Sequence, residues 1–192
     1  MEKFTPHNAA ILLIDHQDGL VSGISSQDKK TVVNNVRFLA RLGNDMNIPL
    51  VVTSSGEEKA WPGRLIKDIE ELAPKAYANR VRRGGTSNSF DDAGFEAAVK
   101  ATGKKNLIVA GLTTDVCLFH TVEGALKEGY NVQVVSDGCG SSNPMIDQIT
   151  FDRLRGMGVI VTGANMLLAE LYTDLGTADG ARARAIKFGN RI

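Results

Sequence analysis

Only two cysteines, Cys117 and Cys139, occur in 192 residues. That number excludes a disulfide-framed secreted scaffold, which packs more cysteines into a shorter chain. Charge of one sign is not in excess either: 22 Lys plus Arg face 22 Asp plus Glu. A neutral chain with no basic stripe carries no electrostatic footprint for nucleic acid or for a membrane surface. The C-terminal stretch with Arg182, Arg184, Lys187 and Arg191 is locally basic, and reads as a solvated or interface segment. Long apolar runs are missing as well. The first, AAILLI, stops at Asp15, well short of a spanning helix and unlike a secretory signal. A cytoplasmic location is therefore the expectation. There is no internal repeat, low-complexity tract or Gly/Ser/Pro-rich linker, and at this length one domain over residues 1–192 is the default. With 43% hydrophobic and 23% charged residues, the chain can bury a core without disulfides or structural metal.

What is present is an alternation of two patterns. Ala9–Asp15 is a continuous apolar run closed by a polar residue, which reads as a strand buried on both faces. Leu50–Thr53, Asn106–Ala110, Asn131–Ser136 and Val159–Thr162 read as further strands, with Tyr77–Val81 as a weak one. Between them lie helical patterns over Ser25–Asn47, Leu65–Leu72, Asp92–Thr102, Thr114–Glu128, Pro144–Met157 and Asn165–Thr173. Gly129 suits a left-handed helix cap. Gly56–Arg64 and Arg82–Asn88 read as loops. Six strands alternating with helices imply an α/β fold: a three-layer, doubly wound, mainly parallel sheet. Ligands in such folds bind at the carboxyl ends of the strands, where the strand order reverses. If the chain starts in mid-sheet, strands one and four are neighbours, and the segments after them are where chemistry belongs.

Strand one ends in Asp15-His16-Gln17-Asp18, and strand four runs into Gly111-Leu112-Thr113-Thr114-Asp115-Val116-Cys117. Cys117 falls in the first turn of the following helix. Backbone N–H groups there lower a thiol pKa and can hold an oxyanion. Asp15 is placed to act as the base for Cys117. Each residue also has a plain structural counterpart: an Asp at a strand end caps a turn, and a Cys in an apolar helix fills core.

The segments ILLIDHQDGL, GLTTDVCLFHTVEGALKEGYNV and VVSDGCGSS resemble three signatures of the isochorismatase-like cysteine hydrolases. The likeness covers about Asn8 to Glu170. It implies Cys117 as nucleophile and Asp15 as general base. It also implies a cis peptide at Leu112–Thr113 that turns the Thr113 N–H toward the site, where it forms an oxyanion hole with the Cys117 N–H. The implied reaction is cleavage of a small amide, ureido or related C–N bond through a thioester, with Asp15 raised in pKa by burial beside the thiol. Members of the superfamily are usually oligomers, so a homo-oligomer, a dimer or a multiple of dimers, is expected, with the tail 176–192, which shows little core of its own, packing on a neighbour.

The sequence departs from the family pattern at the third catalytic position. A lysine is usual there, whereas Asn79–Phe90 holds only arginines as cations. Spacing to Asn88-Ser89-Phe90 makes Arg83 the first choice and Arg82 the second, and in this the chain resembles a poorly characterised bacterial branch with arginine. Arg cannot give up its proton and presents a planar fork, so it can hold a carboxylate or a thiolate but cannot shuttle a proton. This departure favours an alternative reading, a catalytically silent binding or scaffold protein. Nicotinamidases of the superfamily hold a metal with an Asp and two His near strand two. His7, His16 and His120 fall elsewhere, so no metal and no other cofactor is expected. Gln17, Phe90 and Trp61 are the substrate-contact candidates, with Phe119 as a further aromatic; the other reading of Gln17 is a brace for the site or the neighbouring loop. Cys139 is implied to be structural. His120 shares a helix face with Cys117, which leaves a Cys–His pair open.

Overall fold

The computed structural model describes residues 3–189. In chain order its elements are β1 (Ala9–Ile14), α1 (Asp18–Ser22), α2 (Lys29–Asp45), β2 (Leu50–Ser55), α3 (Lys67–Leu72), α4 (Pro74–Ala78) and β3 (Val81–Arg83). There follow α5 (Ala93–Ala101), β4 (Asn106–Gly111), a single π turn over Thr114–Leu118, α6 (Phe119–Lys127), β5 (Asn131–Val135), α7 (Pro144–Gly156), β6 (Ile160–Thr162), α8 (Ala164–Leu171) and α9 (Ala178–Gly189). The six strands form one sheet in the order β3-β2-β1-β4-β5-β6, and every pairing is parallel. Right-handed crossovers that reverse direction after β3 place helices on both faces; α2 packs with α3 and α9, while α6 packs under β5. This is the doubly wound α/β sheet expected from the alternation.

β1 and β4 are buried at every position, as central parallel strands must be. Their last residues, Ile14 and Gly111, are register partners. A Cβ on Gly111 would stand 2.9 Å from the Cβ of Ile14, so glycine lets the two strand ends close together. The reversal point therefore lies between β1 and β4, and Asp15 and Leu112 emerge there side by side.

Two sequence expectations are corrected. The weak strand expected over Tyr77–Val81 is displaced: Pro74–Ala78 forms α4 and the strand is Val81–Arg83. Pro74 supplies a pre-set first helical turn, and pairing with β2 rather than an apolar pattern makes the strand. Arg82 and Arg83 thus sit on a strand instead of in a loop. The tail, expected to have little core of its own, forms α9, which buries Gly180, Ala183 and Ile186 on this chain, beside α2. Lys187 in the same helix donates to Asn35 Oδ1 at 2.7 Å. Arg191 lies outside the described residues. Among the described residues no helix is long and apolar enough to cross a membrane.

The turn after β5 is tied back under β1. His16 is fully buried, and its Nε2 donates to the Gly138 carbonyl at 2.9 Å. Its Nδ1 is buried and has no partner among the described residues. Burial pulls the imidazole down to about 4 and outweighs the Gly138 bond, so folded His16 stays neutral until the pH approaches that value. The unfolded imidazole takes up a proton below about pH 6.5. Stability is therefore complete above pH 6.5 and declines as the pH falls toward 4, by roughly 3 kcal/mol from this residue. Asp15, raised by burial, works in the opposite sense in acid. Comparison with His16→Gln, which keeps a donor for Gly138, isolates the histidine: in urea unfolding the wild type should lose about 3 kcal/mol more than the variant between pH 7 and pH 4. Parallel curves for the two proteins would contradict the neutral buried imidazole.

Candidate active site

The site is a row of side chains laid across four strand ends. Arg83 closes β3, Thr53 stands on β2, Asp15 follows β1, and Cys117 lies in the π turn after β4. Arg83 must cross β2 to reach Asp15, about 10 Å for two strand spacings, which a long side chain can bridge. Its guanidinium is fully buried. Nε donates to Thr53 Oγ1 at 2.9 Å, Nη1 to the Thr86 carbonyl at 2.5 Å, and Nη2 to both Asp15 oxygens at 2.6 and 2.5 Å. Thr53 spends its own hydroxyl proton on the Val81 carbonyl at 2.8 Å, so its lone pairs face Arg83.

Asp15 has a left-handed backbone, φ 55°. Asp tolerates this region better than most residues, at a cost of about 1 kcal/mol. The bend is held on both sides: Asp15 N–H donates to Thr53 O at 3.0 Å, and Gln17 N–H donates to Asp15 O at 2.8 Å. It ends the strand and leaves the carboxylate buried between Arg83 and Cys117. On the other side, the Leu112–Thr113 peptide is cis. Thr114 N–H donates to Gly140 O at 3.0 Å, and the Val116 and Leu118 N–H groups both donate to Thr113 O at 3.2 Å. The first bond ties the π turn to the turn after β5, and the other two close the turn on itself.

Asp15, Arg83 and Cys117 form one electrostatic unit. Burial raises the Asp15 pKa although the Arg83 charge and hydrogen bond oppose it. The Cys117 thiol lies beside Asp15 and Arg83 and is pushed up to about 12, first by burial and then by the Asp15 charge, with Arg83 only partly offsetting them. The lowered thiol pKa expected from the helix turn is therefore corrected: a half-buried sulfur beside a carboxylate outweighs the modest effect of a turn's N–H groups. The resting proton sits on sulfur, next to a carboxylate whose proton affinity is enhanced.

Above Cys117 opens a cavity of ≈ 410 Å³. Asp15, Thr113 and Cys117 form its floor; Leu20, Trp61, Pro62 and Val116 supply apolar wall; Ser55, Gly56, Lys59, Gly84 and Gly85 complete the rim. Of the expected contact residues, Trp61 lines the cavity and is 67% exposed. Phe90 does not: it is buried with Phe95 and Tyr130, ring centroids 5.3 and 5.7 Å away. Its position at the end of the arginine segment serves the core under α5. Gln17 does not line the cavity either. Fully buried, it accepts from Ser55 N–H at 2.9 Å, donates to Ser55 O at 3.1 Å and donates to Gly63 O, bracing the loop that carries Trp61. Arg82 points outward, 65% exposed, 3.9 Å from Glu57, so Arg83 and not Arg82 faces Asp15. Phe119 lies under Arg153, outside the cavity lining. Cys139 is buried, with its sulfur on Val135 O at 3.2 Å. His120 pairs with Glu123 at 2.8 Å rather than with Cys117. The three histidines are thus dispersed, and among the described residues no group of three or more His, Cys, Asp or Glu could hold a metal. Leu20, Ser55, Lys59, Val116 and the glycine pair are the lining residues that the sequence did not single out. They share no motif, and only the folding of two loops over one strand end brings them together.

The geometry finds counterparts among known proteins. The Isochorismatase domain profile matches residues 9–166. A probable hydrolase of Escherichia coli (strain K12), YcaC, is 35% identical over 168 residues, covering 88% of this chain and 79% of that protein. The structure of the Escherichia coli YcaC gene product, an octameric hydrolase of unknown specificity, superimposes with TM-score 0.91 at 33% identity over 100% of this chain and 92% of that one. YcaC from Pseudomonas aeruginosa, solved with hexane-2,5-diol and covalent acrylamide, gives TM-score 0.90 at 34% identity, covering 98% and 92% of the two chains.

Arg83→Met strands the Asp15 carboxylate in the interior. Breaking a buried pair costs about 3–5 kcal/mol, so urea unfolding at pH 7 should show a loss of that size. The loss should shrink as the pH falls through the raised Asp15 pKa, because a protonated carboxyl has no charge to compensate. A loss below about 1 kcal/mol, the value of an exposed pair, would contradict the arrangement.

Proposed function

This chain belongs to the isochorismatase family, and on that premise we propose that it is a cysteine hydrolase of small amide, ureido or related C–N bonds. One observation carries the reading: a cysteine sulfur lines the cavity beside a buried carboxylate whose proton affinity is raised. Asp15 takes the proton of Cys117 as the sulfur attacks the substrate carbonyl carbon. The carbonyl oxygen becomes an oxyanion, received by the N–H groups of Thr113 and Cys117; one such donor is typically worth about 10²–10³ in rate. The C–N bond then breaks, and the amine or ammonia leaves with the proton from Asp15. Water, deprotonated by Asp15, attacks the thioester, releasing the acid and restoring the thiol. Arg83 keeps its proton throughout. It holds Asp15 in line and offsets the negative charge that moves between oxygen and sulfur. Trp61 and its neighbours bind the body of the substrate. The covalent acrylamide on the Pseudomonas aeruginosa relative supports the presence of a reactive group in this branch.

By the same analogy the protein is proposed to be a homo-oligomer, as its octameric Escherichia coli relative is, working on a small molecule in the cytoplasm. The high Cys117 pKa, together with arginine in the third position, favours a second reading: a silent member of the fold that binds a ligand without turnover.

Incubation with a library of small amides and ureido compounds, followed by intact-mass spectrometry, separates the two. The hydrolase reading expects ammonia or amine release from at least one compound and an acyl adduct on Cys117. Both should vanish in Cys117→Ser, and turnover should fall by about 10²–10⁴ in Asp15→Asn, the usual contribution of a general base. Release that survives Cys117→Ser would refute the assignment of the nucleophile.

A further inference from the structure

The cavity above Cys117 holds one uncompensated charge. Asp15, the acid in its floor, is taken up by Arg83. Lys59 at the rim is exposed and has no carboxylate partner among the described residues. The nearest acid in sequence that is fixed in place, Glu57, is committed elsewhere. It accepts from Arg80 Nε and Nη2 at 2.8 and 2.7 Å and from Ser54 Oγ at 2.6 Å, and Arg80 holds its carboxyl below the usual carboxylate range.

Backbone geometry aims the lysine. Lys59 N–H donates to Gly56 O at 3.0 Å, closing a turn. Gly56 adopts φ +54°, and the Lys59 stem lies across it: Cδ and Cε would stand 3.3 and 3.5 Å from a Cβ at that position. Glycine therefore both permits the turn and clears space for the stem of a lysine that lines the cavity. The loop is pinned on either side by Glu57–Arg80 and by Gln17 on Gly63. A cation at the mouth of an apolar-walled cleft concentrates its field there and favours entering anions.

We infer that Lys59 recognises an anionic group, of the carboxylate class, at the non-reacting end of the substrate. The substrate is then a small amide or ureido acid: its carbonyl meets Cys117, its body lies against Trp61, and its carboxylate lies at the rim. This rests on Cys117 as the nucleophile and adds the charge of the substrate. Lys59 is a specificity residue and takes no part in bond making.

Paired covalent probes test the inference without knowledge of the substrate. N-propylmaleimide and 3-maleimidopropanoate share one electrophile and differ in a terminal carboxylate. Each rate of Cys117 labelling, followed by mass spectrometry, is divided by the rate of the same reagent with 2-mercaptoethanol. The inference expects the carboxylate reagent to be favoured by roughly tenfold at low salt, with the preference fading as salt is added. Lys59→Met should abolish the preference, Lys59→Arg should retain most of it, and Lys59→Glu should reverse it, each read as the ratio of the two normalised rates within one variant. Equal ratios in wild type and Lys59→Met, with Cys117 labelled by both reagents, would overturn the role of Lys59 and leave the nucleophile standing. If neither reagent labels Cys117 in the folded protein, the nucleophile reading falls and this inference falls with it.

Discussion

The buried pair between Asp15 and Arg83 is the constraint around which the rest of the site is arranged. Two unit charges withdrawn from water cost several kcal/mol each unless geometry and further hydrogen bonds repay them. Here the remaining donors of Arg83 are met by Thr53 and Thr86, and the carboxylate meets Cys117 on its other side. The pair therefore fixes three strand ends relative to one another. It also sets the chemistry. Arg83 restrains the Asp15 pKa from rising as far as burial alone would take it, and tempers the rise at Cys117.

Around that pair the chain uses buried polar contacts to hold its loops. Gln17 and the Glu57–Arg80 pair anchor the segment that carries Lys59 and Trp61. His16 and the Thr114–Gly140 bond fasten the turn after β5 to the floor of the site. On the α2 side, Gln27 donates to Ser136 O at 3.0 Å and Cys139 O at 2.6 Å, and Asn35 donates to Asp137 O at 2.8 Å. The result is a rigid floor under a more open rim, a division suited to a fixed catalytic group serving a substrate that must enter and leave.

Much of this was legible in the sequence because burial writes itself into apolar runs. AAILLI and NLIVA can only be central strands in a fold of this length, and their adjacency places Asp15 and Cys117 together. The edge strand Val81–Arg83 was not legible. Three residues that include two arginines have no apolar pattern, and register against Thr53, Ser54 and Ser55 alone defines them. Phe90 was misread, and the two readings of Gln17 were not separable, because sequence position near a site does not give side-chain direction. Phe90 turns into the core with Phe95, and Gln17 turns into the loop backbone. The thiol pKa was misjudged because a local turn was weighed without the desolvation that only packing reveals. Lys59 escaped notice because one lysine in a polar loop is ordinary until the fold shows that no acid among the described residues answers it.

The central claim is that one proton is exchanged between Cys117 and Asp15. The pH dependence of Cys117 alkylation by iodoacetamide tests it most directly, in wild type and in Asp15→Asn. The reactive form, thiolate beside protonated carboxyl, has the same proton count as the resting form, thiol beside carboxylate. The account therefore predicts a wild-type rate that is flat above the raised Asp15 pKa and falls below it. In Asp15→Asn that fall should disappear, leaving the titration of a thiol alone. A wild-type rate that climbs about tenfold per pH unit from pH 6 to 9, as for an unassisted thiol, and is unchanged by Asp15→Asn, would contradict the account.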